Sequence, residues 1–262
     1  MNLEAVLGVG IVQILLGFAR TSGLVLTTPV FQSRSIPIQV KIIISFTLAL
    51  VVAPFITIKP EFLDNFLLTV FMLIAEVLIG LIIGFTVSMT IYAVQLAGYF
   101  FDVSLGFGVV NILDPTTGTE MPLLGYLNQL VALTVFLAVN AHHLVITALI
   151  KSYSVVPPGL FSLKPASAGF MLGLFANMFL LGFQIGLPIM GVIFLTDVAL
   201  GIISKLLPQI NVFMVGFPIK ILLGLTMLIL FLPVYIFILE AVFANSGDTF
   251  RAVQALLKLM RN

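Results

Sequence analysis

The stretch FLLTVFMLIAEVLIGLIIGFTVSMTIYAVQLAGYFF (66–101) contains a single charged side chain, Glu76. A run this long and this apolar predicts a membrane helix. As one straight helix, at about 1.5 Å per residue, it would exceed a hydrocarbon core of about 30 Å, so we expect a bend or a tilt. The apolar residues are continuous and do not alternate with polar ones, which excludes a transmembrane barrel. The stretch therefore predicts an all-α integral membrane protein.

The composition of the whole chain indicates the same class. Hydrophobic residues make up 61% of the 262 positions and charged residues 8%, whereas a soluble domain has roughly 25% charged residues. The formal net charge of +1 argues against a nucleic-acid partner, because phosphate binding needs a concentrated basic surface. With no cysteine and two histidines, disulfides and thiolate zinc sites are excluded and other metal chemistry is thinly supplied. We expect no cofactor.

Further apolar segments lie on both sides of this run, and prolines and glycines separate them. The segments cover 5–31, 42–58, 123–150, 165–196 and 221–239. The chief boundary is Pro157-Pro158-Gly159, where a helix should stop. G-x-x-x-G spacing, which lets membrane helices approach closely, occurs at Gly80/Gly84, Gly169/Gly173 and Gly182/Gly186. Three occurrences favour a tightly packed helical assembly.

Two interpretations of the first segment remain open. It is either one spanning helix whose Arg20 extends towards the membrane surface, or a kinked hairpin with Arg20 paired inside an assembly. The adjacent His142 and His143 point about 100° apart on a helix, so they do not form the i, i+4 pair that chelates a metal. We expect them instead to form hydrogen bonds to a neighbouring subunit or to be exposed near a membrane edge.

The C-terminal tail, residues 246–262, differs from the rest of the chain. Its apolar residues recur at helical spacing and alternate with basic ones, which predicts an amphipathic helix on a membrane surface or on a partner. The basic residues indicate the cytoplasmic side.

The positive-inside rule gives no consistent topology for six segments, because Arg34 and Lys41 conflict with the basic tail. Several charges also lie in apolar surroundings, where a charge costs several kcal/mol unless it is paired. We expect these charges to lie at subunit interfaces: Arg20, Glu76, Asp102, Asp197, Lys205, Lys220 and Glu240. Hairpins packed inside a protein complex fit this pattern better than independent spans.

A polar interruption, residues 98–125, separates the long apolar run from the next segment. It contains three acids between glycines and prolines, and we expect it to be the functional centre. Its candidate gating residues are Gly106, Phe107, Gly108, Asp114, Pro115, Gly118, Glu120 and Pro122. From the residues alone, a solvated connector is an equally good interpretation.

Particular residues indicate a family. They include Phe18-Ala19-Arg20, Pro29-Val30-Phe31-Gln32, Gly106-Phe107-Gly108, Asp114-Pro115, Phe136-Leu137, His142-His143, Ser152-Tyr153, Pro158-Gly159, Pro208-Gln209, Asn211-Val212-Phe213, Gly216, Pro218 and Lys220. In this order they resemble the family of flagellar biosynthesis proteins FliR, the R-type subunits of the type III export gate, which also includes the T-type subunit of virulence secretion systems. One departure is Lys205, where the family pattern suggests arginine. A lysine keeps the charge there but cannot pair in a bidentate way.

The resemblance implies a fold and a role. One R-type subunit would join P-type and Q-type subunits in a hetero-oligomer around a narrow pore, near other export-apparatus membrane proteins, in the flagellar basal body of the bacterial inner membrane. The chain would consist of kinked helical hairpins, with a P-like part (1–156), a Q-like part (157–245) and the basic tail. The segment 106–122 would be a plug that gates unfolded export substrates.

Two other function classes stand beside this non-enzymatic one. In an ion-coupled secondary transporter, Glu76, Asp102 and Asp197 would form the ion site. A membrane enzyme is the weakest option, because no nucleophile, base and orienting group recur in a recognisable arrangement.

Overall fold

The computed structural model describes residues 3–32, 36–58, 66–107, 122–162, 164–209, 211–244 and 247–261, without the side chains of 3–9 and 213. All regular elements in these ranges are helices, which confirms the predicted all-α class. They are α1 (Leu3–Thr27), α2 (Pro29–Gln32), α3 (Ile38–Val52), α4 (Phe66–Leu105), α5 (Leu123–Ala138), α6 (Ala141–Val155), α7 (Pro165–Leu206), α8 (Val212–Phe243) and α9 (Asp248–Leu259), with a 3-10 turn at Ala53–Phe55.

The described helices are long and apolar enough for a membrane protein. Five segments could each cross a bilayer, or six if the bent pair of α5 and α6 counts as one span. α4, α7 and α8 contain 40, 42 and 32 residues. α7 continues through Pro188, and α8 continues through Pro218 and Pro233. Each of these prolines leaves the carbonyl four residues earlier without its helical hydrogen bond.

The first segment combines features of both sequence interpretations. α1 is a single helix that continues through Gly23, as the spanning-helix interpretation requires. Arg20, however, does not extend to a surface, because its side chain is fully buried and paired.

The segment 123–150 is broken, which the sequence did not predict. α5 ends at Ala138 and α6 begins at Ala141, and the two axes differ by 69°. Asn140, between them, has a φ of 56°, and asparagine tolerates this left-handed conformation better than most residues. The predicted stop at Pro157-Pro158-Gly159 is confirmed, since α6 ends at Val155 and Gly159 has a φ of 84°.

The chain packs as two compact units that both draw on distant parts of the sequence. The first contains Met1–Thr90, Leu137–Leu174 and Val242–Asn262, and the second contains Ile91–Phe136 and Phe175–Ala241. α4 and α7 contribute residues to both units. The division of the chain into a P-like and a Q-like part concerns likeness to other subunits and stays a prediction.

In the first unit, α1 and α4 meet at glycines. A Cβ on Gly80 would overlap the carbonyl oxygen of Arg20 and lie 2.9 Å from the backbone nitrogen of Leu24. A Cβ on Gly84 would overlap the hydroxyl of Thr27. The Gly80/Gly84 pair therefore permits a close helix approach, as its spacing indicates, and the approaching helix belongs to the same chain.

The apolar face of α9 is covered by the chain itself, which corrects the prediction that a membrane surface or a partner covers it. α9 packs against α6, and Val253, Leu256, Leu257 and Met260 are buried. The sequence identified the amphipathic helix but had no means of locating the surface that covers it, because that surface lies about a hundred residues earlier in the chain.

Candidate functional site

The predicted site residues fall into three groups in the structure. We call residues 106–122 the central segment. Gly106, Phe107 and Pro122 lie at its ends in the second unit, whereas Gly108, Asp114, Pro115, Gly118 and Glu120 lie outside the described residues. Arg20 and Glu76 form a buried ion pair in the first unit. The remaining charges lie along α4, α7 and α8 of the second unit.

The central segment begins at a well-defined helix end. Gly106 follows α4 with a φ of 86°, and its N–H donates to the carbonyl of Val103 at 3.1 Å. The N–H of Phe107 donates to the carbonyl of Asp102 at 3.0 Å. This is the Schellman motif, in which glycine adopts the left-handed conformation and two otherwise free helix carbonyls are satisfied. The ring of Phe107 then packs edge-on against Phe217, with ring centroids 6.3 Å apart.

The helix that follows the central segment is bound by Asp102, the same residue whose carbonyl binds Phe107 at the start of the segment. The carboxylate of Asp102 accepts N–H groups from Leu124, at 3.0 and 3.1 Å, and from Gly125, at 3.1 Å. These are free donors in the first turn of α5, where a negative charge is also favoured by the helix dipole. Asp102 is 4% exposed, so water does not compete strongly for these bonds.

We call this arrangement the Asp102 clamp: the carbonyl of Asp102 binds Phe107 and its carboxylate binds Leu124 and Gly125. Beneath it is an apolar cluster of α4, α5 and α7 residues, among them Phe101, Leu124 and Ile189. Close packing at Gly98, where a Cβ would lie 2.5 Å from the carbonyl oxygen of Leu124, brings α4 and α5 together. Asp102 does not end its helix, because α4 continues to Leu105, and its carboxylate instead binds the first turn of α5.

The second group is a buried polar network around Arg20. Its Nε donates to Glu76 Oε2 at 2.6 Å and its Nη2 to Glu76 Oε1 at 2.9 Å, a bidentate pair. Nη1 donates to the hydroxyl of Ser152 at 2.7 Å, and Nη2 also donates to the carbonyl of Val156 at 3.0 Å. The guanidinium carbon lies 3.8 Å above the ring centroid of Tyr153, a cation–π contact.

This network holds three elements of the first unit together, since α1, α4 and the end of α6 each supply a member. Arg20 and Glu76, expected to pair across subunit interfaces, have each other as partners within this chain. The sequence did identify both as charges that need a partner. It missed Ser152, Tyr153 and Val156 as members of the network, and their only signal was the polar Ser-Tyr pair near the end of an apolar helix.

The charges on α7 and α8 lie closer to the surface. Lys220 and Asp197 form an ion pair between α8 and α7, with side chains 22% and 46% exposed. Lys205 and Glu240 are exposed. Because Asp197 and Lys220 already have each other, they do not need a partner subunit for neutralisation, and their role at an interface stays a prediction.

The candidate ion-coupling residues Glu76 and Asp102 already have partners within the chain, and the two histidines lie beside each other. Glu76 is bound by Arg20, and Asp102 by backbone N–H groups. The rings of His142 and His143 lie 4.2 Å apart. Within the part of the chain that the structure describes, no three His, Cys, Asp or Glu side chains are grouped for a metal ion.

The chain is similar in sequence to bacterial export proteins over most of its length. A model of the family described as bacterial export proteins, family 1, matches residues 11–246. The flagellar biosynthetic protein FliR of Bacillus subtilis (strain 168) is 36% identical over 250 residues, which cover 93% of this chain and 95% of that protein. FliR of Escherichia coli (strain K12) is 26% identical, covering 82% of both chains. FliR of Pectobacterium carotovorum subsp. carotovorum is 29% identical, covering 88% of both chains.

Proposed function

Because this chain belongs to the bacterial export protein family 1, whose relatives described above are flagellar biosynthetic proteins FliR, we propose that it is a non-enzymatic pore subunit of the flagellar type III protein export gate. In this role it helps to form and close a channel for unfolded export substrates. Its place is the bacterial inner membrane within the flagellar basal body. One copy joins P-type and Q-type subunits in a hetero-oligomer, through a P-like part (1–156) and a Q-like part (157–245).

The observation that supports a gating role most directly is the Asp102 clamp. Asp102 binds Phe107, near the start of the segment 106–122, and Leu124 and Gly125, just after its end, so the two flanking helix ends share one buried base. Hydrogen bonds to a charged group contribute about 1.5–3 kcal/mol each, so the clamp would keep the two helix ends together when the proposed plug opens. A plug must shift without unfolding the helices that carry it, and this base meets that requirement.

The ion pair of α7 and α8 and the exposed Lys205 and Glu240 supply charges for contacts with neighbouring subunits. Large exposed apolar side chains, such as Leu195, Leu222 and Phe237, accompany them on the same helices. A surface of this kind can contact lipid or the apolar faces of other gate subunits. In the proposed function it contacts both.

The test of the gate is a shortened loop. Deletion of residues 116–119, which leaves the Asp102 clamp intact, is expected to raise ion leak across the membrane of cells that assemble the export complex. Leak is measured with a membrane-potential dye, and assembly by recovery of the complex on an affinity tag. As a control, Asp248→Asn changes one exposed carboxylate on α9 and is expected to leave the leak unchanged.

An unchanged leak in the deletion variant, with normal assembly, would rule out the plug. Native mass spectrometry of the purified protein tests the wider proposal. A gate subunit copurifies in a large hetero-oligomer, whereas an ion-coupled transporter is recovered alone or as a small oligomer, and the latter result would contradict the proposed function.

A further inference from the structure

Positive charge is concentrated on and around α9. Five of the eleven Lys and Arg residues of the chain lie in two stretches of the first unit, 137–174 and 242–262, with Asp248 as their single acid. The five are Lys151, Lys164, Arg251, Lys258 and Arg261, and all are exposed. We call them the basic face.

Hydrogen bonds join the elements that carry these five side chains. The hydroxyls of Thr249 and Thr90 lie 2.8 Å apart at the start of α9, and the N–H of Ser162 donates to the carbonyl of Met260 at 3.0 Å at its end. Arg251 and Lys258 are seven residues apart, so they share one side of the helix. The buried apolar residues of α9 form the opposite side.

The two lysines from α6 and the following loop extend the face without losing their charge. Lys151 Nζ lies 5.7 Å from the ring centroid of Phe250 on α9. Lys164 Nζ donates to the carbonyl of Arg261 at 2.8 Å. Neither a ring nor a carbonyl carries a formal negative charge, so both contacts position an ammonium group beside α9 and leave it free to bind an anion.

The chemistry of this face favours lipid headgroups over a protein. Every exposed residue of the described range 247–261 is charged, whereas protein interfaces depend on buried aromatic and apolar anchors and are poor in lysine. α9 also begins at Asp248, shortly after the apolar α8 ends at Phe243. Basic clusters next to a membrane span bind anionic lipids.

From these observations we propose that the basic face is a binding site for anionic phospholipid headgroups. α9 differs from an ordinary amphipathic membrane helix, because its apolar side packs on α6 and does not enter the bilayer. Binding is therefore electrostatic, and added salt weakens it. The site does not depend on the proposed export function, since it involves none of the gating residues.

The experiment uses the full chain in detergent micelles. It is titrated with dioleoyl-phosphatidylglycerol and, as the neutral comparison, with dioleoyl-phosphatidylcholine, and bound lipid is counted by native mass spectrometry. Phosphatidylglycerol is expected to bind more tightly. Each cation near an anionic surface contributes about 1 kcal/mol, so Arg251→Gln or Lys258→Gln should weaken this binding about fivefold, and the double variant about 25-fold. Lys41→Gln, on α3, removes one charge elsewhere and is expected to change nothing.

Several results would overturn the proposal. Equal affinity for the two lipids would do so, as would a double variant that binds phosphatidylglycerol like the wild type. If that double variant instead lowers recovery of the export complex, the face binds an acidic protein. Should the double variant fail to fold, the wild type decides: binding must weaken when salt rises from about 0.05 M to about 0.5 M, and salt-insensitive binding refutes the proposal.

Discussion

Replacing Glu76 by glutamine leaves the guanidinium of Arg20 buried without its counter-charge. The substitution keeps the size of the side chain and one oxygen acceptor, so it creates no cavity. Arg20 is 0% and Glu76 1% exposed, and neither can turn to water without disrupting the packing of α1 against α4. The variant therefore isolates the effect of the charge.

The expected loss of stability follows from what remains around Arg20. Removing one partner of a buried ion pair costs about 3–5 kcal/mol, because a charge is left uncompensated. Ser152, Val156 and the ring of Tyr153 still contact the guanidinium, which places Glu76→Gln at the lower end, about 3 kcal/mol. In a chain of this size that corresponds to a melting midpoint about 10 °C lower.

The assay heats the detergent-solubilised chain and measures the fraction that remains monodisperse on size exclusion. Two further variants order the contributions. Ser152→Ala removes one hydrogen bond to the guanidinium and should cost less than Glu76→Gln. The double variant Arg20→Met, Glu76→Leu removes both charges, and should be more stable than Glu76→Gln alone, because a buried pair can be replaced by apolar residues at little cost.

A melting midpoint of Glu76→Gln within about 2 °C of the wild type would contradict the expected cost of the uncompensated charge. A double variant less stable than Glu76→Gln would also contradict it. An unchanged midpoint would mean that the guanidinium reaches water in the Glu76→Gln variant. A less stable double variant would mean that the attraction between the two charges stabilises the fold by more than their burial costs.

Three other predictions concern different parts of the molecule. Gly80→Ala should lower the melting midpoint strongly, because its Cβ would meet the backbone of α1. Gly173→Ala, with open space around it, should be neutral or stabilising. Equal midpoints of the two variants would contradict the α1–α4 contact. Asp197→Ala and Lys220→Ala should each reduce recovery of the assembled export complex while shifting the melting midpoint little, since a partly exposed pair contributes about 1 kcal/mol or less; normal assembly and export would show that this pair has no interface role. Asp102→Asn should weaken the clamp, lower stability by about 2 kcal/mol and raise ion leak, and a melting midpoint equal to that of the wild type would show that the carboxylate bonds to α5 contribute little.

Much of the helix content followed from local pattern. Long apolar runs without charge predict membrane helices wherever they occur, because backbone groups in lipid must be satisfied within the segment. The proline and glycine signals at 157–159 predicted the end of α6 for a similarly local reason. The bend at Asn140 escaped prediction, since a single left-handed asparagine within an apolar run has no distinctive pattern.

The three G-x-x-x-G pairs show where local pattern stops. Gly80 and Gly84 face α1 closely, and Gly182 meets the backbone of Ala93, whereas Gly169 and Gly173 have nothing within 4 Å of an added Cβ. The spacing is the same in each case. Only the position of the neighbouring helix distinguishes a packing glycine from an exposed one.

By itself, the sequence determined that the chain is helical, that it belongs in a membrane, and that Arg20, Glu76 and Asp102 need partners, because an unpaired charge in apolar surroundings is too costly to persist. Which partners they have was decided by the tertiary structure. Arg20 meets Glu76 and Ser152 across separations of 56 and 132 residues, and Asp102 reaches the first turn of α5 beyond the central segment. Local preferences act over a few residues, whereas these pairs exist only once the helices have packed.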